Sequence, residues 1–387
     1  MKHFLFIFYS EWKNLLFAPK RLFYVLVLPL LLFTLLSLLF KSEVPRDLPM
    51  AYIDRDQTQL SSKLVTMLDA TPSIEMAVPV TDESEARKLI QQQKVFGFIE
   101  IPSDFHKKIL QGNFQEVVCY TNGQFIMASG LISRDFQTTL GTFSAGVTMQ
   151  KKTQKGMQTQ KALAEAQPIL IDEHVLYNPF TNNAFYLLTA LLPMMLQMVV
   201  MMVTVYVLGI EFRYQQGKYW LEQSGGNPAI ALIGKLLPYT IALFFVAWWM
   251  NFLLFKLVGA PLQTSMFSVT LMTCLLVIVY QIIGITIASV IPDFRTALTI
   301  GSGFTAIAFS FSVYTFPVEG LPASMQYLAN VFPFTHFLEY YVNRAVKGIP
   351  FLFTWKPIVS LSLFMLLFVW GYGKFVKMIK KGGYEKA

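Results

Sequence analysis

Six stretches of this 387-residue chain carry no charged side chain and are almost wholly apolar: 22–40, 184–210, 236–255, 268–291, 296–318 and 357–373. Crossing a hydrocarbon core of roughly 30 Å takes about 20 helical residues at 1.5 Å each. Five of the stretches reach that length, and 357–373 does so if 351–353 or the following turn extends it. Runs this long and unbroken do not alternate as barrel strands would. The rest of the composition agrees. The chain is 54% hydrophobic and only 14% charged, where soluble domains average about 25% charged, and its mean hydropathy is +0.49. That excludes a soluble globular protein, a disordered chain and, with only Cys119 and Cys274, a disulfide-stapled secreted domain. The expected fold is an α-helical polytopic membrane protein with six transmembrane helices.

Lysine and arginine in the short flanks orient the spans. With the N-terminus inside, the cytoplasmic pieces hold 13 such residues and the short outer pieces 4. Both termini are therefore expected in the cytoplasm, with 374–387 as a basic tail. The net charge of +8 needs no nucleic acid to explain it, because the basic residues sit where this rule puts them. The stretch 22–40 is longer than a signal-peptide core and lacks a small-x-small cleavage site after it, so it reads as a retained first span. Before it, Phe4, Leu5, Phe8, Trp12, Leu15 and Leu16 recur at helical spacing opposite Glu11 and Asn14. This predicts an amphipathic helix over 1–21 lying in the cytoplasmic interface; a ragged extension of the first span is the alternative.

Residues 41–183 differ in kind, holding 14 Lys/Arg and 16 Asp/Glu. Strand signals at 50–54, 73–80, 95–101 and 117–120 alternate with helix signals at 57–68, 82–92 and 104–110. The alternation predicts an inserted extracytoplasmic α/β domain with helices packed on a sheet. Ile132, Phe136, Leu140, Phe143 and Val147 then form one stripe of a long helix over 124–166, with a break near Gly156, and 168–176 reads as a return strand.

Catalytic signatures are missing. There is no Gly-x-x-x-x-Gly-Lys-Ser/Thr phosphate loop, no paired-Cys or His-Glu-x-x-His metal spacing, and no Gly-x-Ser-x-Gly. His3, His106, His174 and His336 fall in four different regions. Inside the spans the polar side chains of interest are Gln197, Asn251 and Gln281, a possible translocation path, although interhelical hydrogen bonding accounts for such amides more economically. The methionines of 194–202 offer an adaptable apolar surface, for which packing or lipid contact is again the simpler explanation. No span has an acidic or basic residue at its middle, which disfavours proton- or sodium-coupled transport.

Several local patterns, in this order and spacing, resemble those of one family. They are Leu176-Tyr-Asn-Pro-Phe180 leading into a span with Leu192-Pro193, Tyr314-Thr-Phe-Pro-Val-Glu-Gly-Leu-Pro322, and Val331-Phe-Pro-Phe-Thr-His-Phe337. Gly97-Phe-Ile-Glu-Ile-Pro-Ser-Asp-Phe105 is a milder echo. Together with the spans they resemble the permease subunits of ABC-2 type export transporters, in the subgroup with a large extracytoplasmic domain after the first helix. One feature departs from the family: the loop Glu211-Phe-Arg-Tyr-Gln-Gln-Gly-Lys218 keeps Glu211 and Gly217 but lacks the second Glu and the Thr of the usual Glu-x-Glu-x-Gly-Thr turn.

The resemblance implies a mechanism. Such permeases pair, as two copies or with a sister permease, bind separate ABC ATPase subunits, and move a substrate as ATP is hydrolysed. This chain would hold no cofactor, and ATP and Mg²⁺ would be bound by the partner ATPase. The amphipathic start and the loop 211–235 would dock the ATPase, the loop keeping Gly217 of the family turn and offering Glu211, Arg213, Lys218 and Glu222 for salt bridges, with Tyr219 and Trp220 to fill an apolar cleft. Between the last two spans, 316–337 would dip into the outer leaflet as a re-entrant segment marked by Pro317, Glu319, Pro322, Pro333 and His336. Membrane lipids and a periplasmic adaptor are further partners it suggests, in a bacterial inner membrane. A membrane-anchored receptor or assembly scaffold, its outer domain binding a ligand, is the alternative function.

Overall fold

A computed structural model describes residues 2–40, 45–166, 176–178, 182–312 and 320–384. The chain divides into two compact units, one of Met1–Glu43 with Val175–Ala387 and one of Val44–His174. It opens with α1 (Lys2–Phe17). After Ala18, Pro19 stands at the first position of the next helix, where its missing N–H costs nothing. That helix, α2 (Pro19–Leu39), is the first of the long apolar ones; one wider turn at Phe23–Val27 interrupts its regular pattern.

The middle unit runs β1 (Leu48–Asp54), α3 (Gln59–Asp69), β2 (Ile74–Pro79), α4 (Glu83–Gln91), β3 (Gly97–Ile101), α5 (Phe105–Gln111), β4 (Val118–Thr121), α6 (Ile126–Gln154) and α7 (Thr159–Ala166). Its sheet has the order β2-β1-β3-β4. β1 pairs in parallel with both β2 and β3, while β4 is antiparallel to β3. Alternation along the strands serves two cores. Met50 and Ile99 pack with Leu64, Leu68 and the α6 stripe of Ile132, Phe136 and Phe143, whereas Ala51, Ile53 and Phe98 face Ala86 and Val95. Helix starts are chemically marked: Thr58 and Ser61 form a capping box on α3, and Asp82 caps α4 through the Glu85 N–H. Gly97 is required by close approach, since any Cβ there would collide with the Tyr120 carbonyl. The expected long helix over 124–166 is two helices, separated where Gly156 takes φ +87°. Residues 167–175, most of the expected return strand, lie outside the described residues.

The chain then forms α8 (Asn183–Arg213), α9 (Gly217–Gln223), α10 (Pro228–Leu257), α11 (Met266–Val290), α12 (Phe294–Ser310), α13 (Ala323–Asn330), α14 (Pro333–Tyr340) and α15 (Phe351–Lys381). Among the described residues, five helices are long and apolar enough to cross a membrane: α2, α8, α10, α11 and α15. The sixth expected span, 296–318, corresponds to α12, whose 17 residues stop at Ser310; at 1.5 Å per residue that is about 26 Å, and residues 313–319 lie outside those described. α11 is the innermost helix, 72% buried along its apolar window, against 22% for α2 and 17% for α15. It lies close to α8, where a Cβ on Gly284 would sit 2.9 Å from the Thr204 Cβ, the small-residue contact that lets helices approach without a water-driven force.

Four sequence expectations change. The third long helix begins at Pro228, so Lys235, expected in the loop 211–235, lies two turns into α10. The last expected span, 357–373, extends to Phe351–Lys381, because the flanking residues continue the helix through its Pro357. Much of the expected tail 374–387 is therefore helical, and Tyr384 beyond it is buried. In α1, Glu11 was expected on the polar face, yet the buried residues are Ile7, Glu11 and Leu15, at every fourth position, while Leu5, Phe6, Tyr9 and Phe17 are exposed. The physical reason lies on α10, in a buried cation.

Candidate functional site

The connection between α8 and α10 is built from its glycines. Gly217 starts α9 with its N–H donating to the Gly382 carbonyl at 2.9 Å, and a Cβ at 217 would lie 2.8 Å from that same oxygen. The chain reaches this position because Gly382 and Gly383 turn it at φ +104° and +147°, conformations that favour glycine. The turn folds the C-terminus under α9: the Tyr384 N–H donates to the Phe212 carbonyl at 3.0 Å, the Tyr384 hydroxyl to Ala288 O at 2.8 Å, and the Gln215 amide to Tyr384 O at 3.0 Å. Burial pushes the Tyr384 phenol well above its ordinary range, so it stays a neutral donor.

Four rings lock this corner. Phe212 lies 6.2 Å from Trp220, 6.0 Å from Phe375 and 5.7 Å from Tyr384, and Trp220 lies 5.5 Å from Phe375. On the other side of Trp220 sits the Lys235 ammonium, 5.2 Å from the ring centroid. Lys235 Nζ donates to Glu11 of α1 at 2.7 Å and to Glu211 of α8 at 2.8 Å. The second Glu11 oxygen accepts from the Tyr239 hydroxyl at 3.2 Å and lies 3.7 Å from Arg21 at the start of α2. Two carboxylates thus meet two cations where Lys235 is 3% exposed and Glu11 8%. Ions of one sign would be expensive to bury here, and the balanced set is what makes the burial tolerable. His3 adds a second link from α1, its ring N–H donating to the Gln223 carbonyl at the end of α9 at 3.1 Å.

The seven loop residues picked from the sequence therefore separate into two groups. Glu211, Gly217 and Trp220 face inward, tied to Lys235, the C-terminal turn and the ring cluster. Arg213, Lys218, Tyr219 and Glu222 face outward, with Tyr219 62% exposed. Arg213 lies over the Phe294 ring at 5.6 Å. Sequence reading offered Glu211 and Trp220 for the ATPase contact; here Glu211 accepts from Lys235 and Trp220 is buried among rings. It also missed Glu11, Arg21, Lys235 and Tyr239; the available signal was that Glu211 and Lys235 are opposite charges at the ends of two uncharged runs facing one loop.

The remaining picks are dispersed. Gln197 is fully buried, its amide N–H donating to the Thr305 carbonyl at 3.2 Å, while its own oxygen has no hydrogen-bond partner among the described residues. Gln281 accepts from the Thr240 hydroxyl at 3.0 Å, its NH₂ without a partner among the described residues. Asn251 donates to Thr273 at 3.0 Å and accepts from the Tyr341 hydroxyl at 2.7 Å. Each amide is thus used in a different interhelical contact. Of the expected re-entrant segment, Pro317 and Glu319 lie outside the described residues. Pro322 precedes α13, and Pro333 opens α14. The His336 ring donates to Asn330 O at 3.0 Å beside Phe364.

Comparison with curated proteins finds no match. The family model for the ABC-2 family transporter proteins matches residues 20–372, nearly the whole chain, and the chain belongs to that family as a multi-pass membrane subunit of an ABC transporter.

Proposed function

We propose that this chain is the permease of an exporter driven by a separate ABC ATPase, and that the outer face of α9 is where the ATPase docks. The observation that carries this is the contrast across α9. Its inner side is fixed by the ring cluster and Lys235, while Lys218, Tyr219 and Glu222 remain on the outside. A rigid short helix presenting one aromatic and two opposite charges suits a protein partner, since an anchored Tyr with a polar rim is the usual makeup of an interface centre. The family itself implies ABC ATPase partners.

The finer parts of the reading rest on the sequence. Thirteen Lys/Arg on one side against 4 on the other favour cytoplasmic termini and loop 211–235, hence an outer location for the 44–174 unit. Transport is then outward across a bacterial inner membrane, by a pair of permeases of this kind or of this chain with a sister subunit. A periplasmic adaptor would meet the outer unit.

The test is purification of the full chain in mild detergent with its ATPase, followed by ATP hydrolysis in lipid. A stoichiometric ATPase should accompany the chain, and Tyr219→Ala should weaken that association by about 30-fold, as expected for loss of about 2 kcal/mol at an interface anchor. A chain that purifies alone, even after crosslinking, contradicts the reading.

A further inference from the structure

We propose that Lys235 is a positioning residue that joins the coupling helix α9 to the spans, so that a push on α9 reaches α1 and α2 as well as its own helix α10. The inference rests on the proposed docking at α9. If an ATPase moves α9, the motion does work only where α9 is held to the membrane helices. Covalent connection is weak in this respect, because α9 is flanked by Gln215 at φ +55° on one side and by Gly225 and Gly226 at +68° and +77° on the other. These are turns that a small torsional change could absorb.

Contacts through space supply the link. Lys235 on α10 touches three other elements at once: α9 through the Trp220 ring at 5.2 Å, α8 through Glu211 at 2.8 Å, and α1 through Glu11 at 2.7 Å. From Glu11 the chain of contacts continues to Tyr239 and to Arg21 at the foot of α2. Trp220 also meets three elements, α8, α15 and α10, but its link to α1 runs through Lys235, and the other tie between α1 and α9 is the exposed His3–Gln223 hydrogen bond. The C-terminal turn holds α9 only to α8, α11 and α15, through Phe212, Ala288 and Phe375.

Ionic contacts also have a property that apolar ones lack. A methionine in place of Lys235 would fill the same space but could slide along its neighbours, whereas an ammonium pinned between two carboxylates has one preferred position. Buried ion sets are commonly no more stabilising than apolar groups of the same volume. A stability role alone therefore gives little reason for charge here, and a positional role gives one.

The experiment uses the complete complex of permease and ATPase in lipid, with two readouts that need no knowledge of the cargo. One is permease-dependent stimulation of ATP hydrolysis. The other is the change in distance between spin labels at Gln216→Cys on the loop and Leu31→Cys on α2 when the ATPase is trapped with ATP and vanadate. Lys235→Met alone leaves Glu211 unpaired and Glu11 with only Arg21 and the Tyr239 hydroxyl, and is expected to reduce yield, so the decisive variant is the volume-matched triple Glu11→Gln, Lys235→Met, Glu211→Gln, whose one remaining charge, Arg21, sits at the part-exposed edge of the set. The triple variant is expected to fold and to bind the ATPase within twofold of wild type, yet to lose at least tenfold of the stimulation and most of the distance change. Lys235→Arg, which keeps the charge, should recover part of both. Stimulation within twofold of wild type in the triple variant would overturn the inference and leave the docking intact. Failure of the wild-type chain to stimulate any ATPase would instead overturn the docking, and the inference with it.

Discussion

α10 carries a polar network near each end, and the two are made differently. At its start Lys235 gathers Glu11, Glu211, Tyr239 and, through Glu11, Arg21. Sixteen residues later, about 24 Å along the helix axis, Asn251 pairs with Thr273 and Tyr341. Both are buried, but the second is neutral, with the Asn251 amide donating once and accepting once. The first holds full charges that balance only as a set. A neutral network in an apolar bundle fixes helix register at modest energy. A charged one is intolerant of partial loss, so whatever moves must move it as a body. The difference places the rigid, all-or-none element beside α9 and the replaceable one far from it.

Removing Lys235 should give the largest effect. Lys235→Met leaves Glu11 and Glu211 with only Arg21 and the Tyr239 hydroxyl beside them, and the cost expected for an orphaned buried charge is about 3–5 kcal/mol. Thermal denaturation in detergent, followed by size-exclusion, should show the single variant far below wild type and the triple variant, which keeps only the part-exposed Arg21 charge, well above the single. Equal losses in both would mean that volume, not charge, holds the corner. At the other network, Tyr341→Phe removes one hydroxyl and leaves an Asn251 lone pair unmatched, which should cost about 1 kcal/mol and lower the midpoint by about 2 °C. A loss as large as that of Lys235→Met would erase the distinction between the two ends.

The smallest expected effect lies in the other compact unit and serves as its control. Burial pushes the Cys119 thiol up to about 12, so the thiolate is scarce at pH 8. Maleimide labelling there should run about a thousandfold slower than for a free thiol near 8.5 and should quicken as the pH rises toward 12. That slow rate should persist unchanged in the Lys235 variants; faster labelling would mean that the substitutions disturb the 44–174 unit as well.

Much of this architecture could be read before any coordinates, and the part that could not has a common cause. Long uncharged runs announce helices in lipid, because no other feature needs 20 apolar residues in a row. Likewise Ile132, Phe136 and Phe143 announce a buried helical stripe, and short strand and helix signals announce an α/β unit; each signal is local. Their ends were less legible, since Pro228–Lys235 carries a proline and a cation yet is helical. The ion cluster had little local signal beyond the opposite charges of Glu211 and Lys235 across one loop. Helical spacing puts Glu11 on the same face as Phe4 and Phe8, seven and three residues away, and only its charge made it read as facing water; its partner Lys235 is 224 residues away. Trp220 was read outward for the same reason: its neighbours Tyr219 and Leu221 suggest a sticky loop, and only the fold reveals Phe212, Phe375 and Tyr384 around it. Residues that depend on one distant partner are the ones sequence spacing cannot find.

Adjacent positions on α9 therefore offer the most direct measurement: site-specific photo-crosslinking in intact membranes with benzoylphenylalanine at position 219 and, separately, at position 220. The outward Tyr219 should crosslink to an ABC ATPase subunit in a nucleotide-sensitive way, and the inward position of Trp220 should give only intrachain products. ATPase crosslinks from 220 but none from 219, or none from either in membranes where the transporter is active, would contradict the account of α9 as a helix fixed on one side and docked on the other.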